Sequence, residues 1–228
     1  MSYQPVKDRA RQGFNEVLYY LNHITSHEPD GTSLATPMEI KIMRGLFYVH
    51  LYAALEKTVN DIVQQTLIKV SSHNVKHNHY TIPFNAISLM NKLRSFKDSS
   101  YTVFIQKSTE IFEDMTCTRV TPINETAFSN NLQNVWISTI DEVRKAFGMR
   151  AFALPPRITA TVNEIVDKRN AVAHGRESAS TIGERHRTDV LRTKMDIITA
   201  FTYELIEEFE IYYNEKSFLK PTAKRYYP

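Results

Sequence analysis

The chain has 228 residues, 42% hydrophobic and 23% charged, which is enough apolar material for a substantial core and too much for a disordered chain. Six glycines and nine prolines are few for this length and favour long regular elements over tight turns, a lean toward helix. A net charge of +3 tolerates a polyanionic partner without identifying one, and the single cysteine, Cys117, excludes an internal disulfide framework and fits a reducing compartment. The opening MSYQPVKDRARQ lacks the apolar core of a signal peptide, and no apolar run approaches the roughly 18 residues of a membrane span, so a soluble, cytoplasmic protein is expected.

In chain order, Ala10, Phe14, Val17, Leu21 and Ile24 recur in alternating steps of four and three and predict a helix over 6–24, broken by HEPDG. Thr36, Pro37 and Glu39 read as a capping-box start, with Thr36 as the N-cap, for a long helix to about Val70. Its middle, GLFYVHLYAALEKTV, is apolar nearly all the way round and marks the most buried helix. Glu56 continues the line Leu46, Val49, Ala53, where a carboxylate needs a cation, and Arg169 is the candidate. SSHNVKHNHYTIPF is polar; His73, His77 and His79 are expected on a solvated loop, with a metal site as the alternative. A short helix is expected over 85–96, another helix or irregular piece over 101–112, and a loop or small strand over 116–131. Leu132, Trp136, Ile140, Val143 and Phe147 predict a helix over 132–147, stopped by Gly148. Pro155 and Pro156 then open the next helix.

That helix carries the most informative stretch, ITATVNEIVDKRNAVAHG. Ile158, Val162, Ile165, Arg169 and Val172 keep helical spacing, so an arginine takes the next place on an apolar stripe. Asn170 follows, His174 comes five residues after Arg169, and Gly175 supplies a left-handed helix stop. At about 100° per residue Arg169 and His174 lie about 140° apart with Asn170 between them, so one face of the last turns presents all three. The segment GRESASTIGERHR reads as a basic loop with Arg176, Arg185, His186 and Arg187, and Thr188 as the N-cap of a last helix. In that helix Leu191, Met195, Ile198, Thr202, Leu205, Phe209 and Tyr212 keep a seven-residue repeat. The tail FLKPTAKRYYP reads as exposed, with contact to nucleic acid as the alternative.

An Arg-x-x-x-x-His spacing is common by chance, so context carries the reading. RNAVAHG at the end of its helix resembles the signature of the HEPN superfamily, which is Arg, often Asn next, three variable residues, then His. Arg169, Asn170 and His174 match it position by position. LFYVHLYAALEKTVNDIV is similar to the aromatic, glutamate-bearing helix of prokaryotic HEPN branches predicted to be endoribonucleases in defence and toxin loci. The resemblance implies an all-α, HEPN-like up-and-down helical bundle, one domain over 1–228, with 72–131 as a partly helical insertion. One toxin subgroup carries Tyr two residues after the His; Arg176 stands there in this chain and argues against that subgroup and its nucleotidyltransferase antitoxin.

The implied chemistry is metal-independent cleavage of RNA, with no cofactor. RNA supplies its own nucleophile, the 2′-hydroxyl, so the protein must move two protons and stabilise charge on phosphorus. Histidine suits the proton transfers and arginine offers planar paired donors to phosphate. Arg169, Asn170 and His174 are the candidate catalytic residues, Glu56 holds Arg169, and Arg176, Arg185 and Arg187 line an RNA groove. One His174 per chain points to a homodimer with a composite site; an antitoxin or partner defence protein would restrain it. The other readings stay open: Arg169–Glu56 as a structural ion pair, His174 as a helix-dipole partner, Asn170 as a cap, and the whole as a non-catalytic module that binds nucleotide, RNA or a partner protein.

Overall fold

The computed structural model describes residues 3–29, 35–120 and 122–227, and among them regular structure is helical apart from two isolated bridges, Lys76 with Val120 and Tyr80 with Leu219. The fold is all-α among the described residues. No helix of the described residues is long and apolar enough to cross a membrane.

Helix α2 (Met38–Ser71) runs through the middle and packs against α1 (Gln4–Ser26), α7 (Pro156–Ala173), α8 (Ala179–Glu184) and α9 (Thr188–Asn214). The predicted stripes reach the core. Helix α1 buries Val6, Ala10, Phe14, Val17, Leu21 and Ile24, and α9 buries all seven members of its repeat. Each such large aliphatic side chain contributes about 1.5–3 kcal/mol on leaving water, so these two faces against α2 dominate the packing. Of the predicted breaker after α1, Asp30 and Gly31 lie outside the described residues.

Several boundaries move from their expected places. Helix α2 starts at Met38, and Pro37, with ψ 150°, is its N-cap; the Thr36 hydroxyl makes no capping bond. The line Leu46, Val49, Ala53 faces outward, with Leu46 41% exposed, because the opposite faces of α2 are taken by four other helices. The stretch expected as one helix over 85–96 is two, α3 (Ile82–Ser88) and α4 (Met90–Lys97), separated at Leu89, and α5 (Tyr101–Thr116) follows. Thr121, within the predicted loop over 116–131, is outside the described residues. Helix α6 (Ile137–Ala146) begins five residues later than its apolar pattern, since Trp136 is extended and the Ile137 N–H is capped by Asn163 Oδ1 at 3.2 Å. Gly148, with φ +82°, stops it as expected.

The supposed loop after His174 holds α8. Ser178 Oγ caps it by accepting from Thr181 N at 3.1 Å, and two glycines let it lie on α2. A Cβ at Gly45 would collide with the Ala179 backbone, and one at Gly183 with the Lys41 carbonyl. Arg187, not Thr188, is the N-cap of α9, because the Thr188 hydroxyl is already bound to Glu28. The tail is docked rather than exposed. Phe218 and Leu219 are buried, Thr81 N donates to Phe218 O at 2.9 Å, and a 3-10 turn (Pro221–Tyr226) follows. Pro228 lies outside the described residues.

Candidate functional site

Helix α7 begins at Pro156 and turns its apolar stripe inward, burying Val162, Ile165 and Val166. Toward its end the stripe meets the outward side of α2, so Arg169 reaches the rim of the bundle with 17% of its side chain exposed. Its guanidinium lies over the Tyr52 ring, 3.7 Å from the centroid. Arg169 donates to Asn170 Oδ1 at 2.8 Å, to Glu56 Oε2 at 3.4 Å and to the Gln133 carbonyl at 3.4 Å. A cation over an aromatic face at a partly desolvated place is held by about 0.5–2 kcal/mol.

Tyr52 is also the anchor of the chain in front of α6. Its hydroxyl donates to Gln133 O at 3.1 Å and accepts from Val135 N at 3.1 Å, which fixes the irregular segment 132–136 beside Arg169. Burial holds the Tyr52 phenol above its usual range, so it stays a neutral donor. Partial burial likewise pushes the Glu56 carboxyl above the usual carboxylate range, outweighing the pull of Arg169 and Tyr52.

His174 closes α7. Its backbone N–H donates to Asn170 O at 3.0 Å, and Gly175 follows with φ +68°, the left-handed stop expected there. The imidazole is exposed and has no side-chain partner among the described residues. The structure therefore gathers Arg169, Asn170 and Glu56 into one contact cluster, with His174 one turn further on. Asn170 contacts Arg169 through its side chain and His174 through its backbone.

The three loop arginines separate. Arg176, next to the helix end, pairs with Asp167 at 3.3 Å; Arg185 pairs with Glu177; Arg187 reaches back to Pro29 O at 3.4 Å and Glu28 at 3.7 Å, at the far end of α8. His186 sits 2.9 Å from the buried Tyr48 hydroxyl, and burial lowers its proton affinity. Nor do the three histidines of 73–79 form the expected solvated loop. His77 is buried, His73 Nε2 bonds the Tyr213 hydroxyl at 3.0 Å, and His79 Nδ1 bonds that of Tyr227 at 2.8 Å. No group of three or more potential ligands converges among the described residues.

Sequence reasoning missed Tyr52 and the Gln133 carbonyl. Tyr52 stands one helical turn before Glu56, the i, i+4 spacing that puts both on one side of α2, so its signal was present. The backbone carbonyl carried none. A cavity of about 510 Å³, lined by residues of α4 and by Asp114, Arg119, Val120, Pro122 and Asn124, shares no residue with this cluster, and its Lys92 and Arg119 are both paired with Asp114.

A family model described as RiboL-PSP-HEPN matches residues 13–220 of the chain. No curated protein and no solved structure matches it.

Proposed function

Because the chain belongs to the RiboL-PSP-HEPN family, we propose that it is a metal-independent endoribonuclease, with a toxin or antiphage role, that leaves 2′,3′-cyclic phosphate and 5′-hydroxyl ends. The observation that carries this reading is the Arg169 cluster: a guanidinium braced by Tyr52, Glu56 and Asn170 at the bundle rim, with an exposed imidazole, unpartnered among the described residues, one turn away.

Each part has a task. Arg169, always charged, offers N–H donors to the non-bridging phosphate oxygens and stabilises the charge that grows on them as the 2′-oxygen attacks phosphorus. Its pre-set geometry lowers the cost of meeting that charge. Asn170 and Glu56 orient Arg169. His174 transfers a proton, as base from the 2′-hydroxyl or as acid to the departing 5′-oxygen. One imidazole cannot sit on both sides of the phosphorus at once, so a second His174 comes from a two-fold partner copy. Met38, Ile42, Leu46 and Ala53 form an outward apolar line along α2 that ends beside Glu56, and this face suits that copy. Arg176 lies where flanking phosphates would pass.

Cleavage of total RNA and of a labelled single-stranded oligonucleotide in EDTA tests the reading, with His174→Ala and Arg169→Ala alongside and product ends mapped. Cyclic-phosphate ends made by the wild type and lost in both variants are expected. An inactive wild type, or variants that cut equally well, overturns it. The mutual satisfaction of Arg169, Glu56 and Asn170 favours a second reading, a non-catalytic module in which the cluster is structural and RNA or a partner protein is bound without cleavage.

A further inference from the structure

Beside the Arg169 cluster lies a cavity of about 350 Å³ that no part of the proposed chemistry uses. Trp136, Ile137, Ser138 and Asp141 of the α6 start, Phe152 and Leu154 of the following loop, and Thr159 and Asn163 of α7 line it. The volume falls within the range of small-ligand sites, and the composition suits a flat, heteroaromatic guest, with aromatic and aliphatic walls and a few convergent polar groups.

The polar groups are of both kinds and partly uncommitted. Asn163 Oδ1 accepts from Ile137 N at 3.2 Å, which fixes the amide so that Nδ2 remains a donor with no partner among the described residues. Asp141 accepts from Phe152 N at 3.1 Å and from Lys145 at 2.7 Å, and these bonds hold its carboxylate in place as an acceptor at the cavity edge. The hydroxyls of Ser138 and Thr159 and the Trp136 indole N–H also lack partners among the described residues. The Arg144 guanidinium lies 3.5 Å from the Phe152 ring centroid and braces that wall.

The cavity shares no lining residue with the Arg169 cluster, but the chain and α7 connect the two. Residues 132–137 lead from the Gln133 carbonyl that binds Arg169 directly into its wall. On α7, Asn163 and Asn170 fall within about 20° of each other around the axis and about 10 Å apart along it, with Thr159 and His174 continuing the line at either end. A strand whose phosphate met Arg169 would pass a base over Asn163 within a nucleotide or two.

We propose that this cavity is a nucleobase pocket, in which a base flanking the scissile phosphate stacks on Trp136 and is read at its edge by Asn163 and Asp141, setting where the RNA is cut. The role in cutting rests on the ribonuclease reading; the binding of a base does not. Stacking on an aromatic side chain tolerates any base because every base has a π-face, so the polar edge contacts supply the preference.

Trp136 is the chain's one tryptophan, so its fluorescence reports the pocket directly. Titration with guanosine, adenosine, cytidine and uridine is compared with inorganic phosphate, using the wild type, His174→Ala, Thr159→Phe, which fills the cavity, and Asn163→Asp, which keeps the acceptor for Ile137 N and removes the donor. At least one nucleoside should quench saturably in the wild type and in His174→Ala, about tenfold more weakly in the two pocket variants, and phosphate should not quench. With RNA, the pocket variants should still cut but lose the wild type's cut-site preference. Absence of quenching by any nucleoside, equal quenching in folded pocket variants, or quenching by phosphate alone overturns the pocket. Quenching without RNA cleavage keeps the pocket and removes the nuclease; cleavage with an unchanged pattern and no quenching does the reverse.

Discussion

At the scale of single residues, Tyr52 connects the site to the fold. Its ring carries Arg169 while its hydroxyl satisfies two backbone groups of the segment before α6. Tyr52→Phe should leave Arg169 seated but strand the buried Val135 N–H, at a cost of about 1–3 kcal/mol. A fall of several degrees in Tm with cleavage retained at low temperature is expected in calorimetry and RNA assays; equal loss of Arg169 function would show that the hydroxyl, not the ring, positions it. Glu56 makes a different prediction. A carboxyl whose proton affinity is raised by folding contributes stability that is present at low pH and lost as pH rises above the ordinary carboxylate range. Glu56→Gln should therefore gain stability relative to the wild type between about pH 4 and 7, while slowing cleavage because Arg169 is held less firmly. Urea unfolding of both proteins across that range checks the sign, and a difference that narrows in the other direction rejects it. Arg169 and Glu56 stood out because an ionisable residue on an apolar line demands a reason, and Asn170 and His174 because of their spacing from Arg169 at a helix end. The Gln133 carbonyl was illegible because every residue has one.

At the scale of elements, periodicity sufficed where a helix buries one continuous face, as α1, α7 and α9 do. It failed where tertiary contacts set the ends. The apolar series through Leu132 and Trp136 suits a helix, yet Tyr52 and Asn163 satisfy the backbone of 135 and 137 in an extended form. Helix α8 was hidden by composition, since its small polar residues carry no stripe; it is held by close approach to α2, and the signal was the pair Gly45 and Gly183. Two glycine substitutions separate propensity from packing. Gly13→Ala in α1 would set its Cβ 3.6 Å from Ala54 Cβ, an ordinary contact, so the helix preference of alanine should stabilise by up to about 1 kcal/mol. Gly45→Ala has the same propensity gain but drives into the Ala179 backbone, and overpacking of about 1–3 kcal/mol should win. Opposite shifts in the urea midpoint are expected; stabilisation by both would mean that α8 can lift from α2 freely.

At the scale of the molecule, the outward line of α2 bears on whether the proposed nuclease needs two copies of the chain. Met38, Ile42 and Leu46 are 59%, 39% and 41% exposed on the helix that is otherwise the most enclosed, and the line they begin ends at Glu56, against the proposed catalytic arginine. An apolar line on a central helix has a cost in solubility unless it is covered, and a two-fold copy laid along it would bring two α7 ends toward one another. A charge placed there should separate association from chemistry, because Leu46 stands ten residues, about 15 Å, along α2 from Glu56. Leu46→Glu should sediment as a monomer, keep the wild-type helical signal and lose cleavage. Ile211→Glu, on the exposed side of α9 and 56% exposed, should change neither. Mixing gives the sharper test. If each cut needs two imidazoles from different chains, wild type equilibrated with excess His174→Ala should lose activity in proportion to the mixed dimers formed, whereas Leu46→Glu carrying the same His174→Ala change should poison nothing. Full activity of Leu46→Glu at concentrations where it is monomeric would place both proton transfers within one chain and require a group other than a second His174 for one of them.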